Sequence, residues 1–202
     1  DLPVYHKDVK VYELFNEDKT AIGLFYYDFF KRDTKSGGAW MDNMVGQSKL
    51  LGTKPVIFNV CNFTKPAEGQ PALISFDEVT TMFHEFGHAL HGFFANQQYP
   101  SLSGTNVARD FVELPSQFNE HWAVNPEVFK NYAIHYSTGE PMPQALVDKL
   151  KKAADFNQGY ALTEVLAAAA LDMQWHSLSA TSPVQNANKF QTDALKETGL
   201  SL

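Results

Sequence analysis

Alternating and aromatic-rich segments occupy the first third of the chain and predict strands. Residues 9–14, VKVYEL, alternate between apolar and polar positions, and the turn NEDKT separates them from AIGLFYYDFF at residues 21–30. Two such runs joined by a short turn are typical of a β-hairpin. The polar, glycine-containing segment KRDTKSGGAW that follows predicts a loop, and PVIFNVCNF at residues 55–63 predicts a third strand.

From Ser75 onward the spacing of apolar residues becomes helical. Ser75 and Glu78 form the S-x-x-E pattern of a capping box, which predicts that a helix begins there. Residues 110–124 and 127–136 also predict helices, as do residues 144–178, with a break near Asn157 and Gly159, and residues 184–199. A small sheet followed by helices makes α+β the predicted fold class. The apolar positions of the first helix are Val79, Met82, Phe86, Ala89, Leu90 and Phe93.

Composition and charge narrow the possible functions. The 202 residues are 44% hydrophobic and 13% aromatic, which is typical of an ordered globular protein. The formal net charge of −7, without a basic stripe, argues against nucleic-acid binding. No stretch approaches the roughly 18 to 20 apolar residues of a membrane span, so no membrane partner is expected.

The single cysteine and the first residues bear on the origin of the chain. Cys61 cannot form an internal disulfide, which fits a cytoplasmic location, although exported bacterial proteins also lack disulfides and the periplasm stays open. The chain starts with DLPVYHKDVKVYEL, without an initiator methionine or a signal-peptide pattern. We therefore expect a piece of a longer protein.

Candidate metal chemistry lies in the segment TMFHEFGHALHG, residues 81–92. At about 100° per residue, His84 and His88 lie about 40° apart on one helix face, opposite the apolar residues. Residues four apart lie one above the other, so both imidazoles can bind one ion. Gly87 leaves room beside them. Glu85 lies at the edge of the pair, where it can act as the general base of an HExxH arrangement without binding the metal.

Spacing alone leaves the third metal ligand open. One class of zinc peptidases takes it from the pattern HExxHxxGxxH, but His91 and Phe94 occupy the last two marked positions here, which excludes that class. We interpret His91 as a residue that lies near the site or lines a cleft, rather than as a ligand. Another class takes a glutamate from a later helix. The candidates on one face of the next predicted helix are Asp110, Glu113 and Glu120.

Several segments together resemble one known family. FHEFGHALHG and LSGTNVARDFVELPSQFNEHW are similar to the thimet oligopeptidase family of zinc peptidases, and so are LFYYDFFKRDTKSGGAW, FNQGY and LDMQWHSL. The resemblance implies that His84, His88 and Glu113 bind one zinc ion per chain and that Glu85 activates a zinc-bound water. It also implies a zincin-like α+β fold, in which residues 1–202 form the zinc-binding part of a peptidase catalytic domain.

The family resemblance also implies a reaction, namely hydrolysis of short peptide substrates with release of C-terminal dipeptides. The alternatives are an endo-acting oligopeptidase of the same family and a non-catalytic zinc-binding fragment or module. Arg109 is a candidate for capturing the substrate carboxylate, although a structural salt bridge is the favoured interpretation. Residues expected near the substrate groove are Gly37, Gly38, Ser103, Gly104 and Thr105.

Two departures from known zinc peptidases affect the expected activity. Thermolysin-like enzymes have an aspartate four residues after the ligand glutamate, but this chain has Gln117 there, so that partner for a metal-binding histidine is not available. The family's glycine- and tyrosine-rich oxyanion motif and its large helical N-terminal region do not occur in the chain. Because losing one oxyanion donor costs about a hundredfold in rate or more, we expect the isolated chain to bind zinc but to hydrolyse peptides poorly. The remaining segments of the same parent protein are the expected partners.

Overall fold

The computed structural model describes residues 2–199, which divide into two compact units. The first unit ends at Pro141 and the second begins at Met142. The first contains a sheet and three helices, and the second contains three helices. This small sheet and the following helices confirm the predicted α+β class. The assignment of residues 1–202 to one catalytic domain stays a prediction.

A four-stranded mixed sheet forms the centre of the first unit. Its strands are β1 (Lys10–Phe15), β2 (Ala21–Phe30), β3 (Trp40–Val45) and β4 (Val56–Phe63), in the order β1-β2-β4-β3. β1 and β2 form the predicted hairpin, β2 runs parallel to β4, and β3 runs antiparallel to β4. β3 was not predicted, because WMDNMV does not alternate between apolar and polar positions.

Helix α1 (Phe76–Phe93) covers one face of the sheet and carries the HExxH residues. It begins at the predicted capping box, in which the Glu78 amide donates to Ser75 Oγ and the Ser75 amide donates to the Glu78 carboxylate. Gly92 allows a close approach to the sheet, since a Cβ there would lie 2.5 Å from Ile57 Cδ1. The buried core between helix and sheet consists of Phe25, Tyr27, Ile57, Cys61, Phe63, Ala89 and Phe93.

Two short helices complete the first unit. Helix α2 (Glu113–Glu120) continues into a 3₁₀ turn at His121–Val124, and α3 spans Pro126–Tyr132. The prediction that α2 begins at residue 110 was wrong by three residues. Pro115 explains the later start, because a proline is tolerated only in the first turn of a helix and residues before that turn cannot extend it. Helix α3 ends before the predicted residue 136.

The second unit consists of α4 (Gln144–Ala154), α5 (Gln158–His176) and α6 (Ala187–Leu195), followed by a 3₁₀ turn at Lys196–Thr198. The predicted break between α4 and α5 is confirmed, and Asn157 adopts a left-handed backbone conformation there, with φ of 56°. Trp175 of α5 packs against Phe190 of α6, with ring centroids 4.0 Å apart. No helix among residues 2–199 is both long and apolar enough to span a membrane.

Candidate metal site

Two histidines and a glutamate converge at the junction of α1 and α2. The Nε2 atoms of His84 and His88 lie 3.2 and 3.1 Å from the same Glu113 oxygen, Oε2. One ligand atom from each residue lies within 4.8 Å of the others. Ligands bound tetrahedrally to zinc at about 2.0 to 2.1 Å lie about 3.3 to 3.4 Å from one another. The observed separations therefore fit a single zinc ion.

Close packing of α2 against α1 depends on Gly87. A Cβ at this position would lie 2.7 Å from Ser116 Cα and 2.8 Å from both the Pro115 carbonyl oxygen and Asn119 Cβ. Asn119 fixes the contact further, since its side-chain amide donates to the Phe83 carbonyl at 2.6 Å. The room predicted beside the histidines is thus filled by α2, which brings Glu113 to them.

Hydrogen bonding and charge prepare Glu113 and His88 to bind a cation. The buried Ser116 hydroxyl donates to Glu113 Oε2 at 2.8 Å. Burial acts to raise the pKa of Glu113, but Ser116 and the two histidines outweigh it, and the pKa lies below its ordinary value. Burial lowers the pKa of His88, although the negative Glu113 opposes this effect. An ionised carboxylate and a neutral imidazole are the forms that bind metals.

The three carboxylates that spacing left open occupy different places. Glu113 lies at the histidine pair, as the family resemblance implies. Glu120 Oε1 lies 2.6 Å from His84 Nδ1, the nitrogen that points away from Glu113. Asp110 precedes α2 and takes part in neither contact. A carboxylate on the second nitrogen of a metal-binding histidine fixes the ring's orientation and tautomer, and Glu120 occupies that place on His84.

Glu85 is buried beside the ligand cluster, with 5% of its surface exposed, and still lines the cleft. Its Oε2 atom has no hydrogen-bond partner among the described residues. Burial raises the pKa of this carboxyl group, a nearby His84 acts to lower it, and the negative Glu113 raises it further. A carboxylate that is more basic than usual and borders a cleft is suited to accept a proton from water.

The cleft in front of the ligands has a volume of about 350 Å³. Its walls include Ala39, the first two residues of β3 (Trp40 and Met41), and Thr105 from the loop before α2. Thr105 therefore lies where the family resemblance implies. Gly37 and Gly38 precede the lining residue Ala39 but do not line the cleft themselves, and Asn62 holds this loop by donating to the Gly38 carbonyl at 2.7 Å.

Other residues expected at the groove lie elsewhere. Ser103 is buried and donates to Gln47 Oε1 at 2.8 Å. Gly104 and His91 line a separate cavity of about 460 Å³, which Gly87 also lines. His91 is outside the ligand cluster, which agrees with its interpretation as a cleft-lining residue. Arg109 is exposed and forms no ion pair within the described part of the chain, so the salt bridge favoured for it is not found there.

Ser116 and Asn119 were not predicted as site residues, and Glu120 was predicted only as one of three candidate ligands. Ser116 orients Glu113, Asn119 ties α2 to α1, and Glu120 contacts His84. All three lie in the segment ELPSQFNE, at three, six and seven residues after Glu113. Ser116 and Glu120 therefore lie on the same side of a helix as Glu113, which is the signal that was available for finding them, whereas Asn119 lies about 120° away.

Two histidines four apart, a glutamate between them and a further glutamate from a later helix are typical of metallopeptidases. The sequence profile of peptidase family M3 matches residues 1–199, and the chain belongs to this family. The thimet oligopeptidase resemblance is confirmed by these matches and by a thimet-like oligopeptidase of Dictyostelium discoideum, 36% identical over 187 residues, or 88% of this chain and 28% of the relative.

Two bacterial relatives are more similar. Dipeptidyl carboxypeptidase of Salmonella typhimurium is 56% identical over all 202 residues, which cover 30% of the relative. Oligopeptidase A of Escherichia coli is 41% identical over 181 residues, or 88% of this chain and 27% of the relative. The chain thus spans about 30% of the length of the curated relatives it matches.

Proposed function

We propose that this chain is the zinc-binding core of a peptidase that hydrolyses short peptides and releases C-terminal dipeptides. The observation that carries the proposal is the convergence of His84 Nε2, His88 Nε2 and Glu113 Oε2 beside the buried Glu85. Two imidazoles and one carboxylate are a donor set of catalytic zinc sites, which leave a fourth position open. A zinc ion held there would polarise the scissile carbonyl and lower the pKa of water to about 7.

The residues around that position have separate roles in the proposal. Glu85 accepts a proton from the attacking water and later returns it to the leaving amine, as a general base and then a general acid. Glu120 holds the His84 ring through Nδ1, and Ser116 holds the Glu113 carboxylate. These contacts keep the ligand atoms in place without touching the substrate.

The free edge of β3 supports an extended peptide as the substrate. Within the described residues, β3 pairs only with β4, and its first residues line the cleft beside His84 and Glu85. A peptide that lies along an exposed strand edge gains main-chain hydrogen bonds without requiring particular side chains. This mode of binding would suit a peptidase that acts on varied short peptides.

Two relatives bear on whether the peptidase releases dipeptides from the end of a peptide or cleaves within it. The 56% identical relative is named dipeptidyl carboxypeptidase, which supports dipeptide release, and the 41% identical relative is named oligopeptidase A, which keeps the oligopeptidase alternative open. The test is cleavage of an N-blocked tripeptide and of its C-amidated form by the zinc-loaded chain. Loss of cleavage on amidation is expected for dipeptide release, and equal cleavage of both would favour the endo-acting enzyme.

The third candidate, a zinc-binding fragment without catalysis, is tested by Glu85→Gln. Glu85→Gln is expected to keep its zinc and to lose hydrolysis. If it keeps both zinc and full hydrolysis, Glu85 is not the general base. If the wild-type chain binds zinc and shows no hydrolysis at any enzyme concentration, the non-catalytic candidate is favoured for the isolated chain.

We also propose that the remaining segments of a longer parent protein complete the site. Glu113 is 51% exposed, so water has free access to the ligand cluster. Apolar side chains of α5 are exposed as well: Tyr160, Leu162, Val165, Leu166 and Met173. The isolated chain is therefore expected to turn over peptides slowly, and a rate equal to that of the intact Salmonella typhimurium dipeptidyl carboxypeptidase would contradict this proposal. The cytoplasmic location stays a prediction.

A further inference from the structure

Three buried polar side chains between α1 and the sheet lack strong hydrogen-bond partners among residues 2–199. Both amide atoms of Asn59 and Oε2 of Glu85 have no partner, and the Tyr27 hydroxyl has only the Cys61 thiol. Asn59 is fully buried, and Tyr27 and Glu85 are 7% and 5% exposed. Buried polar atoms in folded proteins almost always have partners, either from the protein or from ordered water. This concentration of unpaired groups beside a proposed general base therefore requires an explanation.

The three side chains come from different elements but lie in the same layer. Tyr27 of β2 and Asn59 of β4 are register partners in the parallel strand pair. Residues two apart in a strand share a face, and Ile57 and Cys61, on either side of Asn59, pack with Tyr27 and Ala89 of α1 in the buried core. Glu85 lies one helical turn before Ala89.

The negative charge of Glu85 also acts on Cys61 and Tyr27 in this layer. Burial raises the pKa of the Cys61 thiol to about 12, and the negative charge of Glu85 contributes to this rise. Burial also raises the pKa of Tyr27, with further contributions from Cys61 and from Glu85. The thiol beside Tyr27 is only a weak hydrogen-bonding group, so it does not replace a proper partner for the hydroxyl.

The atoms without strong partners include both donors and acceptors, as a bridging water requires. The Tyr27 hydroxyl and the Asn59 amide nitrogen are donors, whereas Asn59 Oδ1 and Glu85 Oε2 are acceptors. A buried water typically makes about three hydrogen bonds to polar groups that otherwise lack partners. The Lys35 ammonium is not available to these atoms, because it donates to Asp28 and to the Phe30 and Cys61 carbonyls.

We propose that Tyr27 and Asn59 are positioning residues for Glu85, which they hold through one buried water bound to Glu85 Oε2. The inner carboxylate oxygen is thereby fixed, and the other oxygen is directed at the cleft. This inference rests on the proposed function of Glu85 as the general base. Neither Tyr27 nor Asn59 touches the substrate or the metal in this arrangement.

The test uses Tyr27→Phe, which removes only the hydroxyl, and Asn59→Leu, which removes the amide at similar volume. The matched control is Tyr26→Phe, because the Tyr26 hydroxyl donates to the Pro3 carbonyl at 3.2 Å, away from Glu85. A crystal structure of the chain is expected to show a water within hydrogen-bond distance of Tyr27, Asn59 and Glu85. In zinc-loaded protein, Tyr27→Phe and Asn59→Leu are expected to lower kcat about tenfold with little change in KM or zinc affinity, whereas Tyr26→Phe changes none of these.

A second measurement separates this inference from the proposed function. In a double-mutant cycle, the shifts in urea midpoint for Tyr27→Phe and Glu85→Gln are expected to be non-additive, whereas those for Tyr26→Phe and Glu85→Gln add. This cycle needs no zinc. A chain that binds no zinc would overturn the proposed function while the water and the coupling could still be observed. If zinc binds but the water is absent and the Tyr27–Glu85 cycle is additive, the positioning role is refuted.

Discussion

Replacing Gly87 with alanine tests whether the close packing of α1 and α2 builds the metal site. The added Cβ would lie 2.7 Å from Ser116 Cα. Ordinary carbon contacts begin at about 3.5 Å, so the two helices would have to separate by about 0.8 Å, the difference between 3.5 Å and the 2.7 Å found here. The other two close atoms, the Pro115 carbonyl oxygen and Asn119 Cβ, cannot rotate away either.

Two opposing effects determine how much Gly87→Ala changes the free energy of unfolding. Alanine in a helix interior gains up to about 1 kcal/mol over glycine, whereas overpacking costs about 1 to 3 kcal/mol. Because all three contacts are with backbone or β-carbon atoms, we expect the upper part of that range and a net loss of about 1 to 2 kcal/mol in the free energy of unfolding. A shift of Glu113 by about 0.8 Å also exceeds the tolerance of about 0.2 Å in metal–ligand distances, so zinc affinity should fall about 10- to 100-fold.

Zinc competition with a chromophoric chelator and urea denaturation measure both effects. The control is Gly159→Ala in α5, where no atom lies within 4 Å of the added Cβ. That variant should be unchanged in zinc affinity and stabilised by up to about 1 kcal/mol. If Gly87→Ala behaves like Gly159→Ala in both assays, the helix contact does not determine the site.

Three further predictions concern side chains that orient ligands or hold the loop before β3. Glu120→Gln should lower zinc affinity about 10- to 100-fold in the chelator assay because it weakens the hold on His84, whereas Glu127→Gln, on an exposed pair with Lys130, should not. Ser116→Ala removes the 2.8 Å hydrogen bond to Glu113 and should cost about tenfold in zinc affinity; unchanged affinity would remove Ser116 from the site. Burial acts to raise the pKa of Asp28, but Arg32 and Lys35 outweigh it and hold the pKa below its ordinary value. The stability from Asp28 is therefore present above the unfolded-state pKa of about 3.9 and is lost as the pH falls through the lower folded-state pKa. Asp28→Asn should lower the free energy of unfolding by about 3 kcal/mol at pH 7, and urea titrations should show this difference narrowing below about pH 4; a constant difference would contradict the assignment.

The parts of the fold with strong local signals were predictable. The capping box at Ser75 gave the start of α1, and the aromatic run at residues 21–30 gave both ends of β2. These elements combine a local hydrogen-bonding signal or a marked apolar pattern with burial in the core. β3 has neither, because it is held by pairing with β4, a contact that depends on residues distant in sequence.

The candidate site shows the same difference between local sequence signals and contacts that join distant residues. The spacing of His84 and His88 on one helix is a local property and could be predicted, and the family resemblance selected Glu113. The roles of Ser116, Asn119 and Glu120 depend on how α2 lies against α1, and that contact joins residues distant in sequence. The unpaired groups at Tyr27 and Asn59 could not be predicted, because the sequence around each residue indicates only a strand.

Zinc stoichiometry of matched variants tests whether His84, His88 and Glu113 bind a metal ion. Elemental analysis after dialysis should find one zinc ion per wild-type chain, and this zinc should be lost in His84→Ala, His88→Ala and Glu113→Gln. Asp110→Asn, which changes the carboxylate outside the cluster, should keep the full amount. A wild-type chain that retains no zinc, or an Asp110→Asn variant that loses it as Glu113→Gln does, would show that His84, His88 and Glu113 are not the zinc site proposed for this chain.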